Sequence, residues 1–231
     1  EELTGARFHY NTHAIGGNRH DIPAGWTQKV KSVLTLIKSR IAEYETECAG
    51  NAIFEIRTRN VGTMNSTLAL ELGMTGPNLR ASGVDHDLRR DAPFAAYDEV
   101  SVNVATATGG DCFARYEVRI AEMYEAIRIV QELIDGIPEG PINVSKPVKL
   151  AVAIKYKEGQ CYAAIETPRG ELGTYLIGGG DKRGAMPYRM KIRPPSLHAV
   201  SALPYLLPGH TVSDVVAILG SLDPIMGEVD R

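Results

Sequence analysis

Residues 111–136, DCFARYEVRIAEMYEAIRIVQELIDG, decide the fold. Phe113, Tyr116, Ile120, Met123, Ile127, Val130 and Ile134 fall three or four apart, the spacing of one stripe on an α-helix, and Gly136 followed by Pro138 closes it. A second phrase has the same period. Trp26, Val30, Val33, Leu34, Ile37, Ile41, Tyr44 and Cys48 recur behind Pro23, Lys29, Lys31, Lys38 and Glu45 take other positions, and Gly50 stops the run. The two stripes predict helices packed on each other. Burying seven such side chains at roughly 1.5–3 kcal/mol each contributes about 10–20 kcal/mol before entropy, far above any capping contribution. Packing, not propensity, must hold them.

Working outward, residues 66–72 read as a shorter helix ended by Gly73, and Gly76-Pro77 as a turn into an irregular, charged stretch over 80–99. Residues 148–156 alternate with period two, and short extended pieces follow at 161–167, 173–177 and 188–192, separated by glycines. Pro194-Pro195-Ser196 opens a helix, Pro208-Gly209 breaks the chain, and 212–219 form a last short helix ended by Gly220. The reading is α+β, mainly α. It is a helical bundle with a small peripheral antiparallel sheet in one domain over 1–231, with 1–140 mostly helical, 148–195 the sheet and 196–231 the carboxyl-terminal helices.

With 44% apolar and 23% charged residues and a formal net charge of −3, the chain can bury a core but offers no basic stripe for a phosphate backbone. Nucleic acid is not an expected partner. Cys48, Cys112 and Cys161 lie too far apart for a C-x-x-C pair and make no even disulfide framework, which fits a reducing compartment. No signal peptide opens the chain, and no apolar run approaches the roughly 18–20 residues that span a bilayer, so if a membrane matters to this chain it is reached through partners. The opening Glu1-Glu2-Leu3-Thr4-Gly5, without Met, reads as a fragment or one half of a split subunit.

Several phrases carry chemistry only under one of two readings. His9 and His13 stand four apart, the spacing of a helical metal pair, but Asn11, Thr12 and Gly16-Gly17 argue against a helix, so an ordinary hydrogen-bonded histidine is the default for His13. Gly178-Gly179-Gly180-Asp181-Lys182 lacks the spacing of a phosphate loop and reads as a hairpin turn, and Gly16-Gly17 lacks the third glycine of a dinucleotide fingerprint. Between Arg80 and Asp91, Asp85, Asp87 and Asp91 are crowded among Arg80, Arg89 and Arg90. That run is either a solvated face or a segment threading the interior, where its charges must pair. The bend Pro168-Arg169-Gly170-Glu171 poses the same choice: exposed charges, or Arg169 and Glu171 turned inward.

Taken together, Gly5-Ala6-Arg7-Phe8-His9, Gly16-Gly17 with Asp21-Ile22-Pro23, Gly76-Pro77-Asn78-Leu79-Arg80-Ala81-Ser82-Gly83, Asp87-Leu88-Arg89 with Tyr97-Asp98, Gly110-Asp111-Cys112 with Arg115-Tyr116, Pro168-Arg169-Gly170-Glu171-Leu172-Gly173, and the closing Leu222-Asp223-Pro224 with Gly227-Glu228-Val229-Asp230-Arg231 resemble one family in collinear order. It is the quinone-site subunit of respiratory complex I, the proton-translocating NADH:quinone oxidoreductase, kin to the large subunit of NiFe hydrogenases. The match is to the carboxyl-terminal part of the family pattern. The family's amino-terminal sheet, and the His and Tyr that hold the quinone headgroup, have no counterpart here. In the hydrogenase branch soft thiolates after an Asp-Pro hold nickel. Here Asp223-Pro224 is followed by Ile225-Met226-Gly227-Glu228, so hydrogen chemistry is not expected and this chain is given no metal of its own.

The resemblance implies a peripheral subunit, inactive alone, on the cytoplasmic face of the cell inner membrane. It packs against a small partner bearing the terminal 4Fe-4S cluster and, with it, forms the cavity that quinone enters. NADH and FMN act elsewhere in the complex, other peripheral-arm subunits are partners, and the membrane arm is reached through neighbours. His9 matches the histidine near that cluster. One added electron about 5 Å from an imidazole, at an effective dielectric of roughly 20, favours the protonated ring by roughly 3 kcal/mol, about 2 pK units. Arg7, in the same phrase as His9, is a second candidate for tuning the cluster, since a nearby cation raises the reduction potential. Asp223, Ile225, Glu228 and Arg231 match the segment lining the cluster and quinone region, with Ile225 at the quinone and Arg231 in buried ion pairs. For the charged run the resemblance favours internal pairing, which makes Asp85, Asp87, Arg89, Arg169 and Glu171 structural or proton-path candidates. Asn11-Thr12-His13-Ala14 departs from the more basic or aromatic run of many members, so quinone-tail contacts are not carried over there. Two alternatives stand beside this one: a related membrane-complex subunit whose donor is ferredoxin or a deazaflavin, and a non-catalytic scaffold paralogue.

Overall fold

The computed structural model describes residues 2–5, 7, 12–14, 16–144, 156–180 and 186–230. A short antiparallel pair, β1 (His13–Ala14) and β2 (Gly17–Asn18), precedes α1 (Trp26–Tyr44), which runs into a π-helical turn (Glu45–Ala49) and then α2 (Ala52–Thr58). Then come α3 (Ser66–Glu71), α4 (Gly76–Arg80), α5 (Leu88–Asp91) and the long α6 (Cys112–Ile134). An antiparallel sheet in the order β3 (Gln160–Thr167), β4 (Gly170–Ile177), β5 (Arg189–Arg193) follows, and α7 (Pro195–Ser201), α8 (Leu203–Leu206), α9 (Val212–Leu222) and α10 (Met226–Val229) complete the described chain.

The two periodic stripes meet. Val30, Leu34 and Ile41 of α1 bury against Ile120, Ile127 and Ile134 of α6, with Trp26, Tyr116 and Tyr124 around them. Tyr116 donates to the Tyr44 carbonyl at 3.2 Å and Tyr124 to the Glu45 carboxylate, so α6 also pins the π-helical turn at the end of α1. The stripes are narrower than the spacing predicts, because Ile37, Tyr44, Met123 and Val130 are exposed. Instead α6 buries a second face: Cys112 joins Met64, Ala69, Leu79, Ile218 and Leu222 in a core shared by α3, α4 and α9, while Ala114 and Val118 pack on Ala81. Arg115, fully buried, ties these elements by donating to the carbonyls of Gly110 at 2.8 Å and Gly62 at 2.9 Å and to Ser221 Oγ at 3.0 Å.

Two local expectations change. Gly76-Pro77 does not turn the chain away but starts α4, with the proline in the first helical turn, where its missing N–H costs nothing. The last apolar helix does not end at Gly220: α9 continues to Leu222 and stops at Asp223, which takes the left-handed conformation at φ 53°. Its start is a reciprocal cap, Thr211 and Asp214 each bonding the other's backbone. The alternating segment over 148–156 lies outside the described residues except for Tyr156, which belongs to no strand.

The β3–β4 turn docks on the start of α4. Thr167 pairs with Gly170, leaving Pro168-Arg169 as the tip. Gly76, at φ 67°, lies so close to it that a Cβ there would stand 2.5 Å from the Gly170 Cα. Thr75 Oγ1 accepts from Glu171 N at 3.0 Å, and Arg193 of β5 donates to the Glu171 carbonyl at 2.7 Å and to the Gly73 carbonyl. The small sheet is thereby fixed against the helices at the bend that bears Arg169.

Candidate functional site

At that junction α4, α5, α6, β3 and the segment after α9 enclose a cavity of about 380 Å³. One wall is a buried ion cluster. Arg80, whose side chain is 1% exposed, donates from Nε to Glu122 at 2.6 Å and from Nη1 to Glu166 and the His86 carbonyl, each at 3.0 Å, and stands 3.2 Å from Asp87. Asp87 is the N-cap of α5, accepting from Arg89 N at 2.9 Å. It also receives both arms of Arg89, Nε at 3.0 Å and Nη2 at 2.6 Å. Burial pushes the Asp87 carboxyl up, but the Arg89 hydrogen bonds and the Arg80 and Arg89 charges outweigh it, so the group sits below the usual carboxylate range. Glu166 is the reverse: burial, helped by the nearby Asp87 charge and only partly opposed by Arg80, holds its carboxyl above the usual range. A guanidinium thus fills the space between three carboxylates, and two further residues of the charged run, Asp85 and Arg90, form a separate exposed pair at 2.7 Å.

The far wall is made by Arg119 and Asp223. Arg119 donates to the Arg115 carbonyl at 2.9 Å and to Asn78 Oδ1 at 3.1 Å, and burial brings its guanidinium down to about 10 despite the Asp223 charge. Arg119 and Asp223 also line a second cavity, about 480 Å³, with Phe54, Tyr116 and Ser221 around it. Arg169 clamps Asp223 from the β3–β4 turn, Nε to the carbonyl at 2.8 Å and Nη2 to Oδ1 at 3.2 Å, so the bend turns its arginine inward. Glu171 receives the Tyr162 hydroxyl, whose own ionisation burial and that carboxylate push up to about 12.

Beyond Asp223 the surface changes character. Ile225 is 43% and Met226 67% exposed, an apolar step beside the charged cavity. Glu228 turns back onto the start of α7, where its carboxylate accepts from Ser196 Oγ, and the same oxygen of Ser196 accepts from Ile225 N at 3.1 Å. That serine is buried, so Glu228 staples the terminal segment to the helices. Of the remaining candidates, His9 and Arg231 lie outside the described residues, Arg7 is exposed, and His13 is an exposed strand residue bonded to Asn18 Oδ1 at 2.8 Å. Arg119, Glu122 and Glu166 do not stand out in the sequence. A signal for the first two exists: Arg115, Arg119 and Glu122 repeat at helical spacing along α6 and so share one face of it.

Known proteins match the chain from end to end. The family model for the respiratory-chain NADH dehydrogenase 49 kDa subunit matches residues 1–231. The chain is similar to the NADH-quinone oxidoreductase D subunit of Methylacidiphilum infernorum, 44% identical over a 252-residue alignment that covers all of this chain and 60% of the relative. It is likewise 39% identical to the second NADH-quinone oxidoreductase D subunit of Rhizobium etli, over all of this chain and 62% of the relative. To the corresponding D subunit of Geobacillus thermodenitrificans it is 41% identical, over 99% of this chain and 61% of the relative. The chain therefore spans about three fifths of the length of these relatives. A match along its whole length, with a fold that is mainly helical and carries a small antiparallel sheet, places the chain in the family of the 49 kDa subunit of respiratory-chain NADH dehydrogenase.

Proposed function

We propose that this chain contributes a wall of the quinone-reduction site in a proton-translocating NADH:quinone oxidoreductase. It acts as a peripheral-arm subunit beside the partner that holds the terminal 4Fe-4S cluster. Electrons come from NADH through FMN and clusters in other subunits, and two electrons and two protons convert the quinone to the quinol. No described helix is long and apolar enough to cross a membrane. In this reading the chain sits on the cytoplasmic face of the inner membrane and reaches the membrane arm through its neighbours.

The observation that carries this reading is the change of surface at Asp223. A quinone headgroup presents two carbonyl acceptors on an apolar ring, so its site needs polar donors beside an apolar face. Asp223 stands where the arginine-lined cavity meets the exposed Ile225–Met226 step. Arg119 bonds neutral oxygens, which leaves its charge available to stabilise negative charge on a quinone oxygen when an electron arrives ahead of a proton. Arg169 holds Asp223 in place, and Ile225 offers van der Waals contact to the ring or the start of its tail. His9 and Arg7 belong to the cluster side in this reading, His9 taking up a proton when the cluster is reduced, and Arg231 takes part in buried ion pairs.

The test is steady-state kinetics on the purified complex. Asp223→Asn should lower NADH:quinone activity by about tenfold or more, and Ile225→Phe should raise the quinone KM, with NADH:ferricyanide activity unchanged in both. Equal loss of both activities, or loss of neither, contradicts the proposal.

A further inference from the structure

We infer that Glu166 is a proton-binding site on the cavity wall, holding its carboxyl in the neutral acid form at neutral pH and exchanging that proton with the cavity. The inference stands on the charge balance and hydrogen bonds of this chain and does not rest on the quinone reading. The ion cluster holds two guanidiniums, Arg80 and Arg89, and three carboxylates, Asp87, Glu122 and Glu166. One negative charge has no counterpart within the cluster. Asp87 takes both arms of Arg89 and a backbone N–H, and its second oxygen lies 3.2 Å from Arg80. Glu122 takes the shortest Arg80 contact, 2.6 Å, with a side chain 16% exposed and so in reach of water.

Glu166 is left with the poorest set of donors. Its Oε1 receives Arg80 Nη1 at 3.0 Å, a nitrogen that also serves the His86 carbonyl, and among the described residues its Oε2 receives only Leu88 N, at 3.5 Å. An ionised carboxylate that is 4% exposed needs more than one well-formed contact, whereas the acid needs fewer and can donate its own proton. Burial acts in the same direction on this group. The other ionisable groups on the cavity are Tyr97 from the loop after α5, Arg119 from α6, and Asp223, which Arg169 already pairs. Arg119 adds a positive charge, yet it donates to the Arg115 carbonyl and Asn78 rather than to Glu166. In the exchange step the Glu166 O–H bond breaks, the proton passes to a water of the cavity, and the resulting carboxylate falls back on Arg80. A change of charge near Asp223 or Arg119 therefore shifts the occupancy of the site.

Infrared difference spectroscopy on the purified complex containing the full-length chain tests this. At neutral pH a carboxylic-acid C=O band that shifts in heavy water should be present in the wild type and in Glu122→Gln and be lost in Glu166→Gln. Melting provides a second readout. A buried acid with a raised folded pKa loses stability as pH rises above its unfolded value, and glutamine escapes that loss, so Glu166→Gln should melt at or above the wild type near about pH 8, the margin shrinking toward about pH 5. The inference is overturned by an unchanged acid band, by a Glu166→Gln deficit that grows with pH, or by failure of Glu166→Gln to assemble where Glu166→Asp assembles.

Discussion

Replacing Arg80 by Met keeps a long apolar stem in place and removes only the guanidinium. The structure sets the size of the effect. The change deletes charged hydrogen bonds to Glu122 at 2.6 Å and Glu166 at 3.0 Å and a bond to the His86 carbonyl, all at a side chain 1% exposed. Two charged hydrogen bonds at about 1.5–3 kcal/mol each give about 3–6 kcal/mol, and breaking one side of a buried ion pair costs about 3–5, so a loss of roughly 4 kcal/mol is expected. The loss depends on pH in a stated direction. In the wild type Asp87 is held below the usual carboxylate range, so it contributes stability above its unfolded pKa that is lost as pH falls through its folded one. Without Arg80 the folded pKa values of the carboxyl groups rise, and protonation relieves the deficit, so it should be larger near about pH 8 than near about pH 5. Urea unfolding of the full-length chain at both pH values, followed by circular dichroism, measures it. A deficit below about 1 kcal/mol, or one equal at both pH values, refutes the claim that the cluster is buried and mutually paired.

Other changes probe separate contacts. Gly76→Ala places a methyl 2.5 Å from the Gly170 Cα at a backbone with φ 67°, and should cost about 1–3 kcal/mol from overpacking with a further penalty from the dihedral, read as a lowered melting temperature. Ser196→Ala removes the partner of Glu228 and of Ile225 N, and should cost about 1–2 kcal/mol and speed amide exchange across residues 225–229. His198, through Nδ1, donates to the Leu72 carbonyl at 3.0 Å, and burial keeps its ring below the usual imidazole range. Its neutral form therefore contributes stability that is lost as pH falls below the unfolded value near 6.5, a melting slope that His198→Gln should flatten.

The long helices are legible because burial repeats at their period, and α1 against α6 needs nothing more than Val30, Leu34, Ile120 and Ile127. What the period does not give is how many neighbours a helix has. Met123 and Val130 look as apolar as Ile127 but face outward, while the charged Arg115 is fully buried, since α6 packs between α1 on one side and α4 and α9 on the other. Pro77 misleads because a proline suits the first turn of a helix as well as a turn, and Gly220 because one glycine does not end a helix whose termination falls to Asp223. Asp87, Arg89 and Arg169 stand out in the sequence as dense charge in irregular segments. Arg80 belongs to the same run as Asp87 and Arg89, but its further partners Glu122 and Glu166, and the Asp223 that Arg169 holds, come from segments far away in the chain, which no local pattern can pair. Asp85, from the same dense run as Asp87, is instead outside.

Under the proposed function, quinone meets this chain where Asp223 and Ile225 adjoin the arginine-lined cavity. Photoactivation of a quinone bearing a diazirine beside its ring, in the purified complex, followed by mass spectrometry of the digest, reads that contact without an intermediate step. Label is expected within residues 223–229, suppressed by excess unmodified quinone and reduced in Ile225→Phe. Competitively suppressed label confined to other subunits, with residues 223–229 unmodified, contradicts the placement of quinone on this chain.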